Sequence, residues 1–252
     1  MKLAVVSLCG GKAEREALHF SGNHGIRAQM LLNDTLNTQN HGEGIKAVCI
    51  TGMNYTQKAY VDSVMGAHGF DLCCMSPMFS KVKDKYRYSQ LTAAYCHESL
   101  KARNIRYVER SIPDLRYRYA AFTIPNGRVN EIRVLHIPCC DAEKPCYSEQ
   151  LSRKQRFLTF ERTLEQYEKR KGKRGIISCG DWNTEPNGES EAQKIFDSLP
   201  YTKLLNEPTW NDAKLDNALI SEDLKGYVCA YTNDFRVGIT SDHKTVLIDI
   251  DD

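Results

Sequence analysis

What most limits the fold of this chain is the way its apolar runs are connected. Short stretches suited to strands recur along its length: LAVVSL (3–8), KAVCITG (46–52), FDLCCMS (70–76), RYAAFTI (118–124), NEIRVLHIP (130–138), IISCGD (176–181), LDNALIS (215–221), YVCAYTN (227–233) and TVLIDID (245–251). Some of these are separated by helical patterns, and others follow one another directly. A helical connection suits parallel neighbours, whereas a direct one suits antiparallel neighbours. Both kinds in one chain predict two mixed β-sheets packed face to face with helices outside, a four-layered α/β sandwich. A doubly wound parallel sheet fits the order less well.

Four segments carry the helical periodicity. GIRAQMLLNDTLNTQ (25–39) places Ile26, Met30, Leu31 and Leu36 on or near one face, and YTQKAYVDSVMGAHG (55–69) ends at a glycine. The longest pattern is 148–175, with a stripe of Leu151, Phe157, Leu158, Leu164 and Tyr167 and a basic end. SEAQKIFDSLP (190–200) is short and closes at proline. Pro125-Asn126-Gly127 is a hairpin signal joining two of the strands.

Composition adds bounds and not an identity. A length of 252 residues suits one layered domain spanning 1–252, and 41% hydrophobic with 26% charged residues is ordinary for a globular chain. The net charge of +2 is too small to point to nucleic acid by itself. Only seven residues lie between Lys2 and the glycine pair at 10–11, too few for a signal-peptide core, and no run is long enough to span a bilayer. The ten cysteines lie largely in apolar runs, as at Cys49, Cys179 and Cys229, where a reduced thiol packs as a small hydrophobe. A cytoplasmic protein with no membrane span is the expectation.

Four strands end in polar or acidic groups. They give His136 in VLHIP, Asp181 and Asn183 in SCGDWNT, Asp216 in KLDNALIS, and Asp242 and His243 in TSDHKTVLIDI. In extended chain Asp181 and Asn183 point the same way and Trp182 the other. Singly, each has an ordinary explanation: a structural histidine, a turn aspartate, the start of a strand. Together they form the inventory for hydrolysing a phosphate ester. Carboxylates and an amide oxygen suit Mg²⁺, and an imidazole oriented by a carboxylate can move a proton or stabilise developing charge.

GDWNTEP resembles the G-D-x-N motif of the endonuclease/exonuclease/phosphatase family, the deoxyribonuclease I-like proteins. Ser241-Asp242-His243 resembles that family's closing S-D-H, LDNALIS its preceding strand, EPTW its threonine-containing stretch and LHIP its mid-chain histidine motif. Order and spacing agree over 130–252, and the N-terminal half fits less closely. The resemblance implies a metal-dependent phosphodiester hydrolase using Mg²⁺ or Mn²⁺. In it, Asp181 positions or deprotonates the attacking water and Asn183 binds the scissile phosphate. His243, held by Asp216, acts as general base or as donor to the transition state. His136 donates to the phosphate or the leaving oxygen. Asp242 sits beside the metal, with Asp181 and Asn183 as further ligands.

The same resemblance implies an asparagine ending the first strand and a metal-binding glutamate ending the second. Ser7, with Cys9 close by, stands at the first of these positions, and Gly52 or Met53 at the second; Asn54 is the nearest oxygen ligand. Loss of an anionic ligand lowers metal affinity. Three readings are open. Asn54, Glu14 or Glu43 compensates; or Asp181, Asn183 and Asp242 hold the ion; or the chain binds a phosphate ligand without cleaving it.

Residues 101–119 carry six basic side chains among three tyrosines, and Arg116, Arg118 and Tyr119 are candidate substrate contacts, with Trp210 as a stacking surface. The run at 80–90 has the same character, while 168–175 reads as a solvated helix end. A zinc site from His136, Cys139, Cys140 and Cys146 is disfavoured by its spacing. Trp182 and Trp210 are read first as packing beneath the site. DNA is the expected substrate and no obligate protein partner is implied. A small-molecule or lipid phosphodiester or phosphomonoester is the alternative, and a catalytically weak binder of nucleic acid or a phosphorylated ligand is a second.

Overall fold

The computed structural model describes residues 1–8, 24–37, 44–76, 79–82, 85–88, 91–105, 119–137, 161, 173–187, 189–210, 212–234, 241 and 243–251, with 24, 79–82 and 85–88 described in backbone alone. In chain order the elements are β1 (Lys2–Ser7), α1 (His24–Leu36), β2 (Ile45–Met53), α2 (Tyr55–Ala67), β3 (Phe70–Met75), β4 (Phe79–Val82), β5 (Lys85–Tyr88), β6 (Leu91–His97) and β7 (Arg103–Asn104). They continue as β8 (Tyr119–Thr123), β9 (Glu131–His136), β10 (Ile176–Asp181), α3 (Glu191–Ser198), β11 (Thr202–Lys203), β12 (Asp216–Ile220), β13 (Val228–Asn233) and β14 (Thr245–Ile250).

Two six-stranded sheets result, ordered β13-β14-β1-β2-β6-β3 and β11-β12-β10-β9-β8-β7. Each has one parallel pair, β1 with β2 and β9 with β10, and its other pairings are antiparallel. The sheets pack face to face, with β1 and β2 against β10 and β2 also against β9. Alternation along each strand builds two interiors. Leu3, Val5, Ala47 and Cys49 meet Val134, Ile177, Cys179 and Ala218 between the sheets. Ala4, Val6, Val48 and Ile50 point to the opposite face and are covered by α1 and α2. Both faces are buried, which is why these strands read as nearly continuous apolar runs.

On α1 the buried residues are Gly25, Ala28, Leu31, Leu32, Thr35 and Leu36, a spacing of three and four that defines one helical face. Ile26 and Met30, expected on that face, are instead 41% and 36% exposed. The buried arc centres on Ala28 and Leu32, and at 3.6 residues per turn Ile26 and Met30 fall on the opposite, outward face. A capping box of Asn54 with Gln57 starts α2, and one of Ser190 with Gln193 starts α3. Beneath α3, Ala192 and Phe196 bury Trp182, Leu135 and Leu219 on the outer face of the second sheet. A side chain such as Phe196 contributes about 1.5–3 kcal/mol through such burial.

Asn126, at φ 63°, turns β8 into β9 as the Pro-Asn-Gly signal predicts. The strand β6 was not evident in the sequence, yet it lies between β2 and β3 in the first sheet. Cys229 is exposed on the edge strand β13 and does not pack in the core. Of the long helix expected over 148–175, only Glu161 falls in its helical body among the described residues, and it is helical. The rest of that segment up to 172 lies outside them.

Candidate active site

The second sheet aligns three polar groups in one row. Asp181 is the register partner of His136 on β9 and of Asp216 on β12, so all three side chains leave the sheet at the same level. The face of each strand toward the other sheet is apolar until this row: Val134 precedes His136, Cys179 precedes Asp181, and Ala218 follows Asp216. Polar groups thus crown one end of the inter-sheet core. All three are nearly buried, at 6% exposure for His136 and 2% for each aspartate. His136 Nε2 lies 3.4 Å from Asp181 Oδ2.

The other sheet supplies a second imidazole. His243, 5% exposed, precedes β14, and its Nδ1 is 2.6 Å from Asp216 Oδ2. A carboxylate only accepts, so the pair fixes the proton on Nδ1 and leaves Nε2 to accept or donate one. Backbone braces hold the pair in place. The His243 N–H donates to Ser241 Oγ at 3.0 Å, and that hydroxyl donates to the Ser7 carbonyl at 2.7 Å. Thr209, fully buried, accepts the Asp216 N–H on its hydroxyl at 2.9 Å and the Lys244 N–H on its carbonyl at 2.7 Å. One threonine therefore ties the strand of the carboxylate to the strand of the imidazole. Thr209 and Ser241 were not among the candidate site residues, although both lie inside stretches singled out in the sequence.

The G-D-W-N turn departs from simple strand alternation. The strand β10 ends at Asp181, and Asn183 takes a left-handed conformation with φ 49°. Its N–H donates to Asp181 Oδ1 at 2.9 Å, and its Nδ2 donates to the Ile137 carbonyl at 2.8 Å. Asparagine tolerates this conformation better than most residues because its short polar side chain bonds locally. Asn183 therefore reaches the loop after His136 by a turn and not by extension. Gly180 permits the close approach beneath: a Cβ there would lie 2.0 Å from the Leu135 carbonyl oxygen, at φ 136°. Trp182 is fully buried, packs 5.2 Å from Phe196 and donates its indole N–H to the Asn217 carbonyl at 3.3 Å. It is a packing residue beneath the site.

Asp181, Asp216 and His243 each offer a ligand atom within 4.8 Å of the others, a buried Asp-Asp-His group that could bind a metal ion. Its donors suit a hard divalent cation, and a cation there would offset two buried carboxylates. Ser7 and Thr51 are register partners at the ends of β1 and β2, and both are buried. Gly52 takes φ 68°, and Met53 is buried under the helices. Asn54 Oδ1 accepts from the Gln57 N–H at 2.9 Å and the Thr56 hydroxyl at 2.7 Å, so this oxygen caps α2.

Of the expected substrate contacts, Trp210 sits beside the site, its ring 6.4 Å from that of His243. Tyr119 is buried with Leu135 and Trp182 on the outer, helix-covered face of the second sheet. It therefore points away from the row, because its register partner Leu135 alternates with His136. Arg116, Arg118, Asp242, Glu14, Glu43, Cys139, Cys140 and Cys146 lie outside the described residues.

No protein-family model matches the sequence, and no curated protein sequence matches it significantly. Solved structures do match. An AP endonuclease from Archaeoglobus fulgidus is 14% identical with a TM-score of 0.67, covering 100% of both chains. An endonuclease/exonuclease/phosphatase family protein from Leptotrichia buccalis is 14% identical with a TM-score of 0.63, again over 100% of both. A mannosyl-6-phosphatase from Bacteroides thetaiotaomicron is 14% identical with a TM-score of 0.62, over 99% of each chain. With two packed mixed sheets and this likeness over its whole length, the chain has the deoxyribonuclease I-like fold of the endonuclease/exonuclease/phosphatase proteins.

Proposed function

We propose that this chain is a metal-dependent phosphodiester hydrolase of the endonuclease/exonuclease/phosphatase family, acting on DNA. The observation that carries the reading is the convergence of four side chains from both sheets. The row of His136, Asp181 and Asp216 on one sheet meets His243 from the other at 2.6 Å.

In this reading Asp181, fixed by the Asn183 N–H, orients and deprotonates the attacking water. Asn183 donates one Nδ2 hydrogen to Ile137 and keeps the second for a phosphate oxygen. His243, with its Nδ1 proton on Asp216, uses Nε2 as general base or as donor to the oxyanion. His136 donates to the phosphate or to the leaving oxygen. A bound Mg²⁺ or Mn²⁺ would neutralise phosphoryl charge. Asp181, Asn183 and Asp242 would hold it, since Asp216 and His243 already engage each other. The second strand ends in Thr51, Gly52 and Met53 where the family resemblance calls for a glutamate, so the ion would be held mainly from the second sheet and would bind weakly.

DNA is favoured by the basic, tyrosine-containing run at 101–119, with Arg116 and Arg118, and by the AP endonuclease among the structural neighbours. A phosphomonoesterase is the second reading, favoured by the mannosyl-6-phosphatase among those neighbours. The test incubates plasmid DNA, a chromogenic phosphodiester and a chromogenic monoester with Mg²⁺ or Mn²⁺, beside Asp181→Ala and His243→Ala. Cleavage of DNA and diester by wild type alone supports the proposal. Equal background from all three proteins on every substrate refutes hydrolysis, and turnover of the monoester alone refutes the nuclease assignment.

A further inference from the structure

The two large sheets end in β13, β3, β11 and β7, and these edges differ in how well they are closed. Shortness, bulges and charge all blunt an edge, whereas an open one pairs with another strand. The strands β7 and β11 are two residues long, and β3 has a bulge between Leu72 and Cys74 and a charge at Asp71. In contrast β13, VCAYTN, spans six residues with no charge, no proline and an unbroken register against β14.

Hydrogen bonds along β14 show which groups of β13 face outward. The Asp251 N–H donates to the Tyr227 carbonyl, so Tyr227 and then Cys229, Tyr231 and Asn233 turn their backbone groups toward β14. The Ile250 N–H goes to the Met1 carbonyl instead. Its register partner Val228 therefore faces away from β14, as do Ala230 and Thr232. Glu207 Oε1 takes the Thr232 N–H at 2.9 Å. Val228 and Ala230 have no outward partner among the described residues, so the open stretch is 228–230 and its midpoint is Cys229.

We propose that β13 pairs antiparallel with β13 of a second copy of this chain, about a two-fold axis at Cys229. The sequence around that midpoint is self-complementary: Tyr227-Val228-Cys229-Ala230-Tyr231 carries a tyrosine at each end and a compact apolar residue on each side of the centre. A two-fold sets residue i opposite j and j opposite i, so such a stretch matches itself. Val228 of each copy exchanges both backbone hydrogen bonds with Ala230 of the other, which satisfies every open group of the stretch. Thr232 falls opposite Gly226, outside the strand, so its occupied N–H is not needed.

Val228 and Ala230 turn their side chains to the inter-sheet core, which leaves Tyr227, Cys229 and Tyr231 on the other face. There Tyr227, 42% exposed, meets Tyr231 of the second copy. The two exposed Cys229 side chains meet at the axis as a non-hydrogen-bonded pair, the arrangement in which facing side chains stand closest. The contact is one strand wide, below the area of a stable dimer, so the association is weak and concentration-dependent. Cys229 stands opposite Asp249, at the end of β14 away from His243, so the site rim stays open in both copies.

Sedimentation velocity on the intact chain, over a rising concentration series under reducing conditions, tests the pairing. Wild type should pass from monomer to dimer. Cys229→Lys and Cys229→Glu change an exposed position and set like charges face to face at the axis. Each should weaken the dimer at least about tenfold, and an equimolar mixture of the two should recover it. Ala230→Pro removes an outward N–H that β14 does not use, so the dimer should be lost and the circular dichroism spectrum kept. Should proline disturb the strand, the two charge variants and their mixture decide. Wild type that stays monomeric throughout leaves the edge to another protein's strand and overturns the proposal. Cys229 variants that dimerise as wild type does, or a mixture no better than its components, overturn it too.

Discussion

His243 and Asp216 belong to different sheets and are 27 residues apart, yet their side chains meet at 2.6 Å with both nearly buried. Neither sheet makes the contact alone. The carboxylate is set by its register beside Asp181, and the imidazole by the hydroxyl of Ser241 anchored on β1. The pair forms only when the two sheets are packed, which links the stability of the sandwich to the chemistry of its rim.

Thr209→Val keeps the shape of the brace but removes the acceptor for the buried Asp216 N–H. The loss should be about 1–3 kcal/mol, the cost of leaving that donor unpaired. Turnover should fall along with stability, and Thr209→Ser should retain most of both. Thermal unfolding and steady-state kinetics on the same preparations check this, and a fully active valine variant would show that the brace is dispensable.

Gly180→Ala should destabilise by about 3 kcal/mol or more, since a Cβ at φ 136° would run into the backbone of β9. Urea unfolding reads this as a lower midpoint at unchanged slope.

Tyr95 gives a pH signature. Burial, and then its hydrogen bond to the Asp62 carboxylate at 2.6 Å, push its hydroxyl well above the ordinary tyrosine value. A group whose folded value is raised contributes stability that is fully present below its unfolded value of about 10 and is lost as pH rises beyond it. Urea midpoints from pH 8 to 11 should decline more gently for Tyr95→Phe than for wild type. At pH 8 the variant should be about 0.5–1.5 kcal/mol less stable, for the lost hydrogen bond.

Chelation separates site from scaffold. On the proposed metal-dependent reading, EDTA should abolish hydrolysis and leave the far-ultraviolet circular dichroism spectrum unchanged, and added Mn²⁺ should restore turnover. Loss of the folded spectrum on chelation would mean that a metal supports the fold itself.

Nine of the strands are legible because each carries its burial pattern locally, and IISCGD coincides with β10 residue for residue, whereas β6 and the short strands β4, β5, β7 and β11 are not. Register was not legible. Nothing in the sequence says that Tyr119 stands opposite Leu135, and that pairing turns its ring from the site to the helix side. Asn183 was placed by alternation, but its left-handed backbone follows from hydrogen bonds to Asp181 and Ile137 that only the packed sheets bring within reach. Ile26 and Met30 satisfy helical spacing as well as Ala28 and Leu32 do, and only the surface beneath the helix chooses between them. Thr209 carried a weaker signal: its place in EPTW resembled a family motif, while its function as a brace needed both strands in view.

The central claim is that Asp216 and His243 act as one unit in a hydrolytic site, and a double-mutant cycle tests it most directly. The catalytic efficiency of wild type, Asp216→Asn, His243→Ala and the double variant would be measured on a chromogenic phosphodiester with Mn²⁺. Each single change should lower kcat/KM by about 10²- to 10⁴-fold, and the double variant should be no worse than His243→Ala, since the carboxylate acts only through the imidazole. Losses that multiply, or four proteins with the same background rate, would contradict the account.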